Sequence, residues 1–304
     1  MRQPLTCIVL LAGVGLLSAQ TGGPKTFSSP EEARDGLVQA TAQGMGALRE
    51  MLGIGAADIL GTGDPVKDKA IVDQFKTRLA EKATLEPDPM NPDRVTVDIG
   101  NEQWPFGVPL VRKNGRWYFD GQEGKAELRR RIIGADELDA MEVCRGYVEA
   151  QEMYAATDWD NNGVLQYAQK FISTPGKKDG LYWPGDDSPI SERIAKTIAQ
   201  GYTGAGLKSN GFHGYFFKIL LAQGPDAADG EQEYLAHGLM IGGFGLVAWP
   251  VEYGISGIMT FIVNQDGVVY EKDLGPQTSA LAKAMTKFNP DKSWRVSPEV
   301  ELPN

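Results

Sequence analysis

Three groups of residues in this 304-residue chain have the types and spacing to do chemistry. The first is Asp158-Trp159-Asp160-Asn161-Asn162-Gly163, which fits the opening of an EF-hand-type calcium loop. Oxygens at alternate positions and a glycine at the sixth let a backbone curl round the ion, so Asp158, Asp160 and Asn162 are the cation candidates. Gln169 stands at the twelfth position, so the bidentate carboxylate is missing. An Asp/Asn/Gly turn after a helix accounts for the same residues. Calcium is the one cofactor the sequence offers.

The second group is aromatic. Tyr182, Trp183, Trp249 and Tyr253 lie in two Gly/Pro-punctuated loops beside Asp179, Asp186, Asp187 and Glu252. Exposed rings stack on the apolar faces of sugars or peptides while carboxylates accept from hydroxyls and amines, so the four aromatics are candidates for ligand binding. Rings in such loops also serve as anchors packed into a core. The third group is catalytic. His213 and His237 are the two histidines, and their separation fits no compact zinc motif. Gly254-Ile255-Ser256-Gly257 has its second glycine one place early for a nucleophile elbow. Asp179, Glu252 and His213 remain as candidates for acid and base work. Alternation with Tyr215, Phe217 and Ile219 puts His213 on the apolar side of a strand, where a hydrogen-bonded structural histidine is also expected. A site, if formed, is expected where the Trp249–Gly254 loop meets Lys178–Pro184.

The elements that position these groups follow from pattern. Ser29 before Pro30-Glu31-Glu32 starts a helix that runs to about Leu52 and is weakened by Gly44 and Gly46. A second helix begins near Asp64-Pro65 with Ile71, Phe75 and Leu79 on one face. Arg94–Ile99 alternates, Phe106–Val111 is apolar, and Asn114-Gly115 turns into Trp117-Tyr118-Phe119, giving a three-stranded antiparallel sheet. Helical sequence follows over Lys125–Ile133 and Glu137–Ala156. Cys144 sits on the apolar stripe of the latter with Leu138, Met141 and Val148 and reads as a buried, inert thiol. His213–Leu221, Tyr234–Met240, Gly243–Trp249, Ile258–Val263 and the run resuming at Val268 make a second antiparallel sheet, with Asp266-Gly267 as its clearest hairpin turn. The tail is a helix over Ala280–Phe288 and an extended end at Trp294–Val296. The expected fold class is therefore α+β: a unit over residues 20–124 of helices plus a small sheet, then a helix-covered sheet over residues 125–304.

Residues 1–19 read as a secretory signal, with Arg2 as the charged start, Leu5–Leu17 as the apolar core and Ala19 at the cut. The apolar core is shorter than the roughly 20 residues of a membrane span, and position 20 is Gln where a lipid anchor needs Cys. An exported mature chain without a transmembrane span, in periplasm or cell envelope, is expected. It would retain one cysteine, so no internal disulfide forms. The chain carries 40 acidic against 30 basic side chains, a net charge of −10. That balance argues against nucleic acid, which needs clustered Lys and Arg.

The strings CRGYVEAQEMY at 144–154, STPGKKDGLYWP at 173–184, HGYFFKIL at 213–220, and WPVEYG and DGVVYEKDLGP further on occur together in this order. In these the chain resembles the bacterial exported proteins grouped as domain of unknown function family 2950, from about Phe27 to Gly275. The resemblance implies an exported or envelope-associated protein and names no catalytic residue. Ala150-Gln151 to Tyr154 on a helix, followed by a sheet with the Phe261–Gly267 hairpin, also resembles the globular heads of type IV pilin-like proteins. The long apolar N-terminal helix of those proteins is lacking, so that likeness concerns fold. The expected function is a non-catalytic binding or structural module for an envelope protein or cell-wall component. The alternative is a carboxylate-dependent hydrolase acting on envelope glycan or peptide.

Overall fold

The computed structural model describes residues 23–53, 65–192, 195, 211 and 213–298. The expected leader, residues 1–19, lies outside them, as do Asp64 and the side chain of Ile71. The chain divides into two compact units, Met1–Leu128 and Arg129–Asn304.

In the first unit the Ser29 side chain accepts from the Glu32 amide and starts α1 (Pro30–Gln43). Gly44, at φ 104°, breaks the helix, and α2 (Met45–Leu52) begins from it. α3 (Pro65–Glu81) precedes β1 (Ala83–Pro87), β2 (Arg94–Ile99), β3 (Trp104–Pro105), β4 (Leu110–Lys113) and β5 (Arg116–Phe119). The sheet is antiparallel in the order β1-β2-β4-β5, with β3 also pairing β2. It has five strands where three were expected. Phe106 and Val108 are buried outside the named strands, and the Phe106 amide still donates to the Val97 carbonyl of β2 at 2.8 Å. Asn114 and Gly115, at φ 52° and 73°, make the tight turn foreseen between β4 and β5. Leu37, Leu48 and Met51 of the helices close over Val97, Ile99, Leu110 and Phe119.

α4 (Gly121–Ala155) is one helix of 35 residues where two were expected. Its start is capped by the Asp120 carboxylate, which accepts from the Gln122 and Glu123 amides at 3.1 and 3.0 Å. Gly134 does not end it, since an interior glycine costs a helix only about 1 kcal/mol.

The second unit is organised on an antiparallel sheet of order β14-β13-β12-β11-β6. Its strands are β6 (Tyr215–Leu220), β11 (Gly245–Pro250), β12 (Met259–Asn264), β13 (Tyr270–Asp273) and β14 (Arg295–Val296). Alternation gives the central strands β11 and β12, and β6 beside them, side chains packed on both faces. Tyr215, Phe217, Leu246, Phe261 and Val263 pack with Met141, Cys144, Tyr147 and Tyr154 of α4. Full burial of rings of this size contributes about 1.5–3 kcal/mol each. Leu220, Val247, Trp249 and Ile262 pack the other way, with Ala282 and Phe288 of the tail, where α5 (Thr278–Ala284) follows a short 3₁₀ turn. Lys218 ties that cover down: its ammonium donates to the carbonyls of Ala282, Lys283 and Met285, at the C-terminal end of α5 and just beyond it. So the sheet is covered on both sides, not by α4 alone.

The run Tyr234–Met240, expected as one strand, is a hairpin of β9 (Leu235–Ala236) and β10 (Leu239–Met240). His237 and Gly238, at φ 50° and 83°, turn between them. β7 (Ala222–Gln223) and β8 (Gln232–Glu233) form a second short pair. The Asp266-Gly267 turn is as expected, with Gly267 at φ 74° and its amide donating to the Asn264 carbonyl at 3.0 Å.

Candidate functional site

Asp139, Glu142, Val143 and Gly146 recur at helical spacing, so α4 turns them to one side, where they line a cleft of about 390 Å³. The rest of the wall is mainly apolar and comes from Phe171, Leu181, Pro189 and Ile190. His213 also lines the cleft, with its Nδ1 paired to the Asp139 carboxylate. It does not lie within β6 as expected. It sits two residues before the strand at φ 46°, and Gly214 follows at φ 73°. Histidine is among the few side chains that accept this left-handed conformation, and both histidines of the chain occupy it ahead of a glycine. Their placement therefore has a backbone reason. A histidine with a carboxylate partner can hold or move a proton, yet Asp179 and Glu252 are not among the cleft's walls. The three catalytic candidates are not gathered around it.

Asp179 is spent on its own loop. It accepts from Lys170 Nζ at 2.8 Å, from the Thr174 amide at 2.7 Å and from the Thr174 hydroxyl at 2.8 Å. Partial burial pushes its pKa up, but the bonds from Lys170 and Thr174 outweigh this and hold it at about 2, against an ordinary 3.8. A carboxylate so depressed is a poor proton donor or acceptor near neutrality. Because the folded pKa lies below the unfolded one, the loop's stabilisation is present in full above about pH 4 and is lost as pH falls toward 2. Exchange protection of the Thr174 amide should stay constant from neutrality to about pH 4 and decline below it.

Trp183 is not a surface ring: only 4% of it is exposed. Its indole lies 4.8 Å from that of Trp159, centroid to centroid, and both rings receive the Lys178 ammonium, at 4.9 and 4.2 Å respectively. Asp187 completes the staple, accepting from Trp183 Nε1 at 2.8 Å and pairing with Lys178. Those two partners, Lys178 first, hold the Asp187 pKa below the usual carboxylate range. Tyr154 Oη donates to the Lys178 carbonyl at 2.6 Å, fixing the loop to α4. The cage already contains its cation.

Trp249, also 4% exposed, belongs to β11 and packs on Phe216 in the cluster under the tail. Trp183 belongs to the cluster under α4. The two rings therefore lie on opposite sides of the sheet and share no binding face. Tyr253 is half-buried and donates to Asp273 at 3.2 Å. Tyr182 is half-buried, and its backbone exchanges hydrogen bonds with Phe171 and Ser173. Glu252 is exposed in the turn after β11, where its carbonyl accepts from the Ile255 and Ser256 amides.

Asp158 closes a turn on itself. Its two oxygens accept from the Asn162 and Gly163 amides at 3.2 and 2.8 Å, Asn162 Oδ1 accepts from the Val164 amide at 2.8 Å, and Asp160 accepts from Gln166 at 2.9 Å. Among the described residues no group of three or more acidic, histidine or cysteine side chains is placed to hold a metal ion. Millimolar calcium added to metal-stripped protein should leave its Tm unchanged. A rise, lost in Asp158→Ala, would restore the cation reading.

Two residues that residue-type reasoning did not single out organise this region. Gln151, fully buried, donates to the Ala168 carbonyl and accepts from the Ala168 amide, both at 2.8 Å, and donates to Tyr147 Oη at 2.9 Å. Lys178 is the second. A polar Gln on an apolar stripe was the available signal for the first, and a lysine between tryptophan loops for the second. Cys144 is fully buried, and burial pushes its thiol up to about 12, so it is inert as expected.

Fold and site together define an α+β protein with antiparallel sheets and a cleft on one helix face. No described helix is long and apolar enough to cross a membrane. The chain belongs to the family described as Protein of unknown function (DUF2950), which matches residues 24–297. No curated protein and no solved structure matches it. The expected likeness to pilin-type heads is not shown.

Proposed function

We propose that the protein is an exported cell-envelope module that binds a protein partner or wall component at the α4 cleft without transforming it. The observation that carries this reading is a division of labour among the side chains. The polar and aromatic groups of the loops, Asp158, Asp179, Trp183 and Asp187 among them, are consumed in holding those loops, whereas the cleft offers mainly apolar walls. Apolar concavities with a few polar groups at the rim are where ligands bind. A hydrolase working through Asp179 and Glu252 is the weaker reading, since neither lines the cleft. The leader at residues 1–19 supports export, and the acidic balance disfavours nucleic acid.

A photo-crosslinking residue placed at Glu142, on the cleft, should capture a discrete partner in intact cells of the native host. One placed at Met90, 91% exposed in the first unit, should not. Fractionation of the same cells should recover the chain from periplasm or envelope with Gln20 at its N-terminus. A chain that starts at Met1 and stays in the cytoplasm overturns the export half of the proposal.

A further inference from the structure

On the tail-facing side of the second sheet, Trp249 Nε1 and Thr260 Oγ1 are buried and meet no hydrogen-bond partner among the described residues. Trp249 is 4% exposed and Thr260 0%. Ala248 faces Phe261 at the last paired rung of β11 and β12, and Trp249 and Thr260 are the next residues beyond it on the two strands. Thr260 shares its face with Ile262, two residues on, and Ile262 and Trp249 lie in one cluster. Facing side chains in such a ladder keep their Cβ atoms about 5 Å apart. Two unpartnered polar atoms are thus brought to one face of the sheet, where the lysines are already engaged, Lys218 with the carbonyls at the end of α5 and Lys272, which faces Thr260 from β13, with Ser293.

Their chemistry is complementary to one small guest. The indole N–H can only donate, while a threonine hydroxyl both donates and accepts. Buried polar groups left unmatched are costly, so native proteins pair nearly all of them, often through internal water. Phe216, Ile262 and Phe288 share the cluster with Trp249, a setting that favours a neutral guest over an ion. The small accessible fraction of both residues rules against a larger molecule. Ser297 Oγ, also unpartnered, belongs elsewhere: its residue pairs with Val269, which packs under α4.

We infer that one water molecule is an integral part of this layer, accepting from Trp249 Nε1 and bonded to Thr260 Oγ1. It acts as a cross-strand link between β11 and β12 at the rung where neither side chain reaches the other. This site is independent of the cleft and stands or falls without it.

The test uses the full mature chain with nitrogen-15 in its tryptophans and the variant Thr260→Val, which keeps the shape and deletes the hydroxyl. In the wild type the Trp249 indole N–H should show a cross-peak to a long-lived water. In Thr260→Val that cross-peak should vanish, the indole resonance should move, and the Tm should fall because the water has lost an anchor. A wild-type spectrum without the cross-peak overturns the inference whatever the Tm does. So does a variant with a raised Tm and an unmoved indole resonance, the result expected when an unpaired hydroxyl is simply removed.

Discussion

Trp183→Ala is expected to destabilise the second unit by about 3–5 kcal/mol, the range for removing a buried tryptophan. The substitution does more than open a hole. Trp183 is one of the two rings under the Lys178 ammonium and the donor to Asp187, so its loss unmakes the staple that holds the Lys178–Asp187 loop against Trp159 and Tyr154. Trp183→Phe separates the contributions. It keeps most of the apolar contact and loses the bond to Asp187, so it should cost only about 1–2 kcal/mol, the scale of one charge-assisted hydrogen bond with some packing. Urea titration followed by the fluorescence of the remaining tryptophans reads both. Equal stability of Trp183→Ala and wild type would return this ring to the surface and revive its candidacy for stacking on a ligand.

Gln151→Leu should cost roughly 2–4 kcal/mol, an unusually large effect for the gain of an apolar side chain in a core. The reason is what it strands. The Gln151 amide satisfies both the N–H and the C=O of Ala168, a residue 1% exposed, and leucine leaves both without a partner away from water. Each stranded group costs about 1–3 kcal/mol. Tyr147 Oη would keep its weaker bond to the Gly245 carbonyl, at 3.3 Å, and lose the one from Gln151. The loss should appear as exchange of the Ala168 amide, protected in the wild type and fast in the variant. A neutral or stabilising Gln151→Leu would mean that Ala168 finds other partners.

Much of this fold is written in short-range chemistry. Ser29 and Pro30 mark a helix start because capping is local, and Asn114-Gly115 and Asp266-Gly267 mark turns because few residues accept their backbone angles. The strands Tyr215–Leu220, Gly245–Pro250 and Met259–Asn264 are legible because they are apolar, short and bounded by turns. What was not legible depends on partners distant in the chain. β1 is read as a strand only once Val95, Val97 and Ile99 are beside it, since Ala-Thr-Leu-Glu-Pro has no pattern of its own. The burial of Trp249 depends on a tail that begins almost thirty residues later.

The same distinction separates the site candidates. Asp158 and Asp179 have the composition of ligands, but their oxygens face amides and a lysine that the sequence order does not bring to mind. The cleft residues Asp139, Glu142, Val143 and Gly146 carry no motif. They are recognisable only because α4 aligns them opposite Phe171 and Leu181.

Gly146 provides the most direct test of the proposed function. It lines the cleft in a helical position with nothing within 4 Å of where a Cβ would stand, so Gly146→Leu can start a side chain there without a clash and extend it into the cleft. Replacing glycine inside a helix should leave the Tm equal or higher. The measurement is sedimentation binding of the purified mature chain to envelope isolated from the native host, for wild type and Gly146→Leu. Saturable wild-type binding, at least tenfold weaker in the variant and with no soluble fragments released, is the predicted result. Equal binding by the two proteins, or release of glycan or peptide fragments by the wild type, would contradict it.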